Sequence, residues 1–213
     1  MSDGPKLRNP KPGEPRKDWS LFLAPLRGTA RLAWGRMDGL QAFGSTPDAV
    51  LASLAPLLAV PFAGALWALL HGQVARALTA VGFTVTAQLA PLVLSHALAR
   101  LWGREEGWLR YAAAYNWLQW AILAVALVLP VLLESFGLPD RTAIQVYAFL
   151  LLGYVLWLNG RLARHGLALS WPRSVLLVAA VLLGSTLLAI GPLLLQAALT
   201  EESVQTGPAD SAP

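Results

Sequence analysis

The sequence predicts an all-α fold, a polytopic membrane helical bundle of five transmembrane helices preceded by an amphipathic interfacial helix. Of the 213 residues, 56% are hydrophobic and only 13% are charged, whereas roughly 25% of the residues in an ordinary soluble domain are charged. Five stretches without Asp, Glu, Lys or Arg are long enough to cross about 30 Å of hydrocarbon. The connections between these stretches are alternately rich and poor in Lys and Arg, as in a multi-pass chain.

Residues 1–18 form a basic, proline-rich head that we expect to be disordered. They contain four prolines, five Lys or Arg residues and almost no apolar side chain, so they cannot bury a core. They also lack the apolar core of a secretory signal peptide, which leaves the first span as the expected insertion signal.

Residues 19–43 are predicted to form a basic amphipathic helix at the cytoplasmic interface. The apolar stripe recurs at three- and four-residue steps and consists of Trp19, Phe22, Leu26, Ala30, Ala33, Met37 and Leu40. Arg27, Arg31 and Arg36 are the candidate contacts to anionic lipid headgroups. The alternative is a helix that packs its apolar stripe on the cytoplasmic face of the bundle, and the sequence leaves both open.

The five predicted spans cover 49–70, 77–99, 111–133, 142–160 and 174–200, and 201–213 form a polar tail that we expect to be disordered. Thr46 is placed as the N-cap of the first span, with Pro47 as its first helical residue. Small residues four apart favour close helix contacts. Such pairs are Ala59 with Ala63 and Gly64 with Ala68 in the first span, and Ala180 with Gly184 in the fifth.

The positive charges predict a cytoplasmic N-terminus and a C-terminus on the opposite side. Eight Lys or Arg residues precede the first span, the four connections then hold one, three, one and three, and the tail holds none. Positively charged segments are retained on the cytoplasmic side. The abundance of Ala, Leu and Arg suggests a GC-rich bacterial genome, so we expect a multi-pass protein of the bacterial inner membrane with a periplasmic C-terminus.

Polar side chains inside the spans are amides and hydroxyls. The absence of charged residues there argues against ion-coupled transport. The candidate intramembrane polar cluster consists of Gln88, Asn116, Gln119 and Asn159. Asn116 and Gln119 are three residues apart, which suggests a polar ligand pocket near the cytoplasmic leaflet. The alternative is hydrogen bonding between helices, worth about 0.6 kcal/mol per contact.

No catalytic residue, metal site or cofactor is predicted, and we expect the chain not to be an enzyme. It has no cysteine, which excludes disulfides, thiolate metal sites and cysteine nucleophiles. Its three histidines do not converge in the predicted topology. Glu105 and Glu106 in the second connection are expected to form solvated ion pairs. The net charge is +4, and much of the positive charge lies next to the apolar spans. The expected partners are therefore anionic lipids rather than nucleic acid.

Two segments carry a family resemblance. The first is a short Gly-containing loop between spans two and three, followed by an Ala- and Tyr-rich helix, LARLWGREEGWLRYAAAYNWLQWAI. The second contains the fourth span, a polar turn and the start of the fifth span, VYAFLLLGYVLWLNGRLARHGLALSWPRS. Both resemble the corresponding stretches of the Yip-domain family of five-span membrane proteins, in particular its bacterial members. The resemblance covers about residues 45–198 and implies the five-span topology, but no functional residue.

Three functions follow as hypotheses. The first is a non-enzymatic membrane scaffold that organises lipid or a partner and forms homo- or hetero-oligomers through its membrane helices. The second is a small transporter or channel component with an uncharged polar site. The third is a lipid-modifying enzyme that uses the loop between Arg104 and Arg110.

Reporter fusions test the predicted topology. We expect a periplasm-active reporter to be active at the C-terminus and in the connections that contain Arg76 and Arg141. A cytoplasm-active reporter should be active in the connections that contain Arg104 and Arg164. A C-terminus that reports on the cytoplasmic side would mean that one span has been miscounted.

Overall fold

The computed structural model describes residues 19–137 and 139–205, with side-chain environments for 23–137 and 139–188. The elements are α1 Trp19–Ala33, a 3₁₀ helix Met37–Ala42, α2 Pro47–Leu70, α3 Val74–Leu101, a 3₁₀ helix Glu105–Gly107, α4 Trp108–Ser135, α5 Asp140–Gly166 and α6 Trp171–Gln205. Those residues contain no strand. Helices α2 to α6 each contain a segment long and apolar enough to cross a membrane. The predicted all-α bundle with five spans is confirmed, and the chain is a multi-pass membrane protein.

The helices extend beyond the predicted spans because their charged and polar end residues continue the helical hydrogen bonding. The predicted start of α2 is confirmed: the Ala49 backbone N–H donates to Thr46 Oγ1 at 3.3 Å, and Pro47 begins the helix. At the other end of the chain, α6 continues to Gln205, past the predicted start of the tail at 201. The remaining tail residues, 206–213, and the head, 1–18, lie outside the described residues.

The five long helices form a closed ring. In order around it, α2 packs on α3, α3 on α6, α6 on α5, α5 on α4, and α4 again on α2. The predicted small pair of α6 takes part in this packing, because a Cβ on Gly184 would collide with the side chain of Leu94 on α3. The two pairs predicted in α2 do not: Ala59 and Ala63 are exposed, and a Cβ on Gly64 would meet nothing within 4 Å.

Tight packing is confined to one half of the bundle, here called the packed half. It contains the N-terminal ends of α2, α4 and α6 and the C-terminal ends of α3 and α5. Its fully or nearly fully buried side chains include Leu54, Leu92, Leu118, Leu158 and Leu177. In the opposite half, only Ala65, Ala77 and Leu133 are buried among the described side chains. Lipid is therefore the main neighbour of the helices there.

Helix α4 is surrounded on all sides in the packed half. Tyr111, Ala112, Ala113 and Ala114 are consecutive, and each is no more than 2% exposed. Four consecutive helical residues point in all directions, so neighbours must enclose the helix completely. Helix α1 supplies the outer cover, since it packs on α4 and reaches α5.

The predicted single helix over 19–43 is instead α1 followed by a reversal and a 3₁₀ helix. Gly35 adopts a left-handed backbone conformation with φ +75°, which ends α1 and turns the chain back. The returning segment lies against α1 at two glycines, where a Cβ on Gly39 would be 2.6 Å from the carbonyl oxygen of Gly28. A sequence pattern read as one helix therefore becomes a compact two-part cap on the bundle.

We predict that Gly39→Ala lowers the thermal stability of the purified protein in detergent. The new methyl group would overlap backbone, and overpacking of this kind costs roughly 1–3 kcal/mol. Gly64→Ala is the matched control, because its Cβ enters open space and alanine has the higher helix propensity. Equal melting temperatures for the two variants would contradict the close contact between α1 and the 3₁₀ helix.

Candidate functional site

Helix α1 has one face against the bundle and the opposite face outward. The inward face carries Gly28, Thr29 and Leu32, all buried, and Gly28 packs on the 3₁₀ helix. The outward face carries Leu26, 52% exposed. Trp34, 85% exposed, follows the last residue of α1 and continues this face, because its backbone N–H still donates to the carbonyl oxygen of Ala30. The predicted apolar stripe is thus divided between the two environments.

The residues of that stripe differ in burial. Leu26 and Ala30 are exposed, Ala33 and Met37 are half-buried, and Leu40 is buried. The side chains of Trp19 and Phe22 lie outside the described environments. Because the inward face of α1 consists of Gly28, Thr29 and Leu32, its packing leaves part of the predicted stripe free for another neighbour.

The outward face also carries positive charge. Arg27 and Arg31 are exposed, and in the helical wheel they lie beside Leu23, Leu26 and Trp34. We call these five residues the α1 platform. Arg31 Nη1 lies 3.4 Å from Asp38 Oδ2, whereas the described residues place no carboxylate within 4.0 Å of Arg27. The third candidate lipid contact, Arg36, lies outside the platform, and its Nη2 lies 3.2 Å from the same Asp38 oxygen.

The C-terminal end of α1 is fixed to α5. The Tyr154 hydroxyl donates to the carbonyl oxygen of Ala33 at 3.1 Å. Immediately after α1, an ideal Cβ at Gly35 would lie 2.5 Å from the indole of Trp157, so only glycine fits against that ring. On the same helix, the Arg161 guanidinium carbon lies 5.4 Å from the Trp157 ring centroid. The platform is therefore held in one orientation relative to the bundle.

A buried polar contact joins α2 and α4. Asn116 Nδ2 donates to Ser53 Oγ at 2.9 Å, and Ser53 Oγ donates to the carbonyl oxygen of Val50 at 2.6 Å. Both side chains are almost completely buried. Asn116 Oδ1 has no hydrogen-bond partner among the described residues, so this contact retains one spare acceptor.

A small cavity of about 120 Å³ lies between α4, α5 and α6. Its polar lining comes from Tyr111, Tyr115, Gln119 and Asn159, and its α6 wall is apolar. Asn159 Nδ2 donates to the carbonyl oxygen of Val155 at 2.8 Å, while Asn159 Oδ1 is buried without a partner among the described residues. Ligand pockets usually occupy about 300–1,000 Å³, whereas a water molecule needs only about 10–15 Å³ of probe-occupied volume. The cavity suits a few waters rather than an organic solute.

The structure brings together two of the four predicted polar residues. Gln119 and Asn159 line the same cavity, whereas Asn116 faces α2 through Ser53. Gln88 is half-buried on α3 and is not part of the cavity lining. A separation of three residues turns a helical side chain by about 60°, which is enough for Asn116 and Gln119 to meet different neighbours.

Ser53, Tyr111 and Tyr115 were not among the predicted site residues. Ser53 carries the one side-chain hydroxyl in the predicted first span. A single hydroxyl in an otherwise apolar span could have indicated a contact with another helix. The tyrosines gave no comparable signal, since aromatic residues also occur widely in apolar spans.

The connection between α3 and α4 has the character of a solvated loop. Arg100 Nε lies 3.4 Å from Glu105 Oε1, both side chains are more than half exposed, and Glu106 is exposed as well. Within the described part of the chain, no group of three His, Cys, Asp or Glu residues is placed to hold a metal ion.

Comparison of the chain with protein-family models, with curated proteins and with solved structures found no match. The resemblance to the Yip-domain family stays a prediction.

A double-mutant cycle tests the contact between α2 and α4. We expect Ser53→Ala and Asn116→Ala each to lower the free energy of unfolding, and the double variant to lose less than their sum. The coupling should be about 0.6 kcal/mol and at most about 1.7 kcal/mol, the range for hydrogen bonds between membrane helices. Ser53→Ala combined with Gln119→Ala is the control pair, because Gln119 lines the cavity on another side of α4. Additive losses in both pairs would exclude an energetic link between Ser53 and Asn116.

Proposed function

We propose that this chain is a non-enzymatic protein of the bacterial inner membrane that organises anionic lipid at the cytoplasmic leaflet through the α1 platform. Its N-terminus is cytoplasmic and its C-terminus periplasmic in this proposal. The observation that carries it is the division of α1: one face is fixed to the bundle, and the other presents exposed apolar side chains next to arginines.

The chemistry of the platform fits the boundary between headgroups and acyl chains. Apolar side chains of an interfacial helix enter the acyl boundary, while Lys and Arg remain near the phosphates. Each basic residue near an anionic surface contributes about 1 kcal/mol. Leu26 and Trp34 supply the apolar part, and Arg27 supplies a cation without a carboxylate partner among the described residues.

The attachment of α1 to the bundle also favours this role. A free amphipathic peptide must become ordered when it binds a surface, and that ordering opposes binding. Here the hydrogen bond from Tyr154 to Ala33 and the close approach of Gly28 to Gly39 hold the helix in place before it meets lipid. The platform is preorganised, so more of the contact energy remains for lipid binding.

The orientation in the proposal rests on charge. The packed half holds the ends of the helices whose connections contain three basic residues each, and α1 with its arginines lies at the same end. Positive segments are retained in the cytoplasm, which supports a cytoplasmic position for the platform.

Two observations favour lipid organisation over the other hypotheses. The cavity with Gln119 and Asn159 is about 120 Å³, below the usual size of a solute pocket. Glu105, in the loop on which the enzyme hypothesis depends, forms an exposed ion pair with Arg100.

Site-directed spin labelling of the full chain tests the proposal, and the absence of native cysteine makes single-cysteine variants straightforward. We expect a label at Leu26→Cys, in bilayers that contain phosphatidylglycerol, to collide readily with oxygen and rarely with a water-soluble nickel complex. The double variant Arg27→Gln with Arg31→Gln should increase the collisions of this label with nickel. The increase should be larger at low salt, because the charge interaction that the variant removes is least screened there. Arg76→Gln with Arg141→Gln is the control for net charge at the opposite end of the bundle.

A label at Glu106→Cys gives the reference for a water-exposed position. If the Leu26 label were as accessible to nickel as the Glu106 label in every lipid mixture, the platform would not lie in the membrane interface. If the Arg76 and Arg141 control acted as strongly as the Arg27 and Arg31 pair, the effect would be one of overall charge, and the role of the platform would be lost.

A further inference from the structure

An apolar groove lies beside α1, between α1, the 3₁₀ helix and its following turn, α2 and α4. Its volume is about 690 Å³, within the usual range of about 300–1,000 Å³ for ligand pockets. Ala24 and Pro25 form one wall, Phe43 closes one end, and Ala52, Ala113 and Trp117 contribute the opposite side.

The groove exists because the residues of α2 that face α1 are small. Ala49, Ala52 and Ala55 recur on one side of that helix and line the groove together with Pro56, so α2 presents three methyl groups and one proline ring to the groove. Every lining side chain is apolar, with the indole N–H of Trp117 as the one side-chain hydrogen-bonding group. Such a lining suits a hydrocarbon and offers almost nothing to a hydrated ligand.

The position of the groove agrees with one leaflet of a bilayer. Its walls come from the first three turns of α2 and the second and third turns of α4, in the N-terminal halves of these spans. At this depth in a multi-pass protein, an opening between helices meets the acyl chains just below the headgroups.

Cationic side chains flank the groove along α1. Ala24 on the groove wall is followed by Arg27 at i+3 and by Arg31 at i+7, which places both arginines on the adjoining helix surface. The groove lining also includes Ala42, and its Cβ lies against Gly28, between the two arginines in sequence. Apolar lining and positive charge therefore adjoin, as the tail and the phosphate of one phospholipid require.

The lining favours an acyl chain over a polar protein segment. Among the lining side chains, the groove offers a hydrogen bond only through Trp117. A single hydrocarbon chain needs no hydrogen-bond partner.

We infer that this groove is a binding site for one acyl chain of an anionic phospholipid, whose phosphate is contacted by Arg27 and Arg31. The inference deepens the proposed function, on which its assignment of the headgroup rests. It names a discrete lipid site where the platform alone implies only a general affinity for the surface.

The test measures the dissociation constant of the first lipid bound to the full chain in detergent, by native mass spectrometry. The probes are dioleoylphosphatidylglycerol and dioleoylphosphatidylcholine. Ala52→Phe fills the groove from α2, and Ala63→Phe is the matched control on an exposed position of the same helix, about 10 Å beyond the groove lining. We expect Ala52→Phe to weaken the binding of both lipids about tenfold, the equivalent of about two methylene groups leaving apolar contact. Ala63→Phe should leave the binding of both lipids unchanged.

The arginine variants separate this inference from the proposed function. The double variant Arg27→Gln with Arg31→Gln should weaken the binding of phosphatidylglycerol and leave the binding of phosphatidylcholine unchanged. If those variants act in this way while Ala52→Phe has no effect, the groove site is overturned and the lipid-organising platform stands. If Ala52→Phe acts and the arginine variants do not, the groove holds an acyl chain, but the anionic headgroup and the proposed function are both overturned. No effect from either set overturns both proposals.

A second variant and a second measurement keep the test decisive if Ala52→Phe fails to fold. Ala55→Phe fills the same groove one turn further along α2. In the otherwise unchanged protein, phosphatidylglycerol with brominated acyl chains should quench tryptophan fluorescence less after Trp117→Phe than after Trp67→Phe, which removes an exposed tryptophan at the other end of α2. Equal loss of quenching in the two variants would contradict an acyl chain at Trp117.

Discussion

The close approach of neighbouring elements to the alanine run of α4 is the contact on which the rest of the structure depends. Apolar side chains gain nothing by leaving lipid for another apolar surface, so membrane helices associate through van der Waals contact and a few hydrogen bonds. Such contact weakens within a fraction of an ångström. The surface of α4 is formed here by the small side chains of Ala112, Ala113 and Ala114, so α1, α2 and α5 can all pack closely on it. The position of α1, the groove beside it and the orientation of its outward face all follow.

The polar groups of the interior lie in the same packed half. Asn116 and Asn159 each use their amide N–H₂ group in a hydrogen bond and leave a buried oxygen without a partner among the described residues. An unpaired acceptor is costly in hydrocarbon, and water in a cavity can satisfy it. For Asn159, the cavity lined by Gln119 and the two tyrosines offers that room. The polar side chains inside this bundle are thus explained by contacts between helices and by hydration.

The number of helices and the start of α2 could be predicted because both depend on local properties, namely the length of an uncharged stretch and the capping chemistry of Thr46. The reversal after α1 could not. A glycine at 35 is compatible with a helix end or with a flexible step, and the contact between Gly28 and Gly39 forms only once the chain has turned back. The polar residues show the same limit. Gln119 lines the same cavity as Asn159, and Asn116 is hydrogen-bonded to Ser53. Both arrangements depend on the order of helices around the ring, which no local pattern contains.

The uneven distribution of buried side chains has a mechanical consequence. In the packed half, methyl groups and glycines in direct contact fix the distances between helices. In the opposite half few side chains are buried, and one hydrogen bond joins Tyr147 of α5 to the backbone of α4. We therefore expect the thickness of the surrounding hydrocarbon to have more influence on the helix spacing there than in the packed half. A change in acyl-chain length should then alter the cross-section of the bundle mainly at that end.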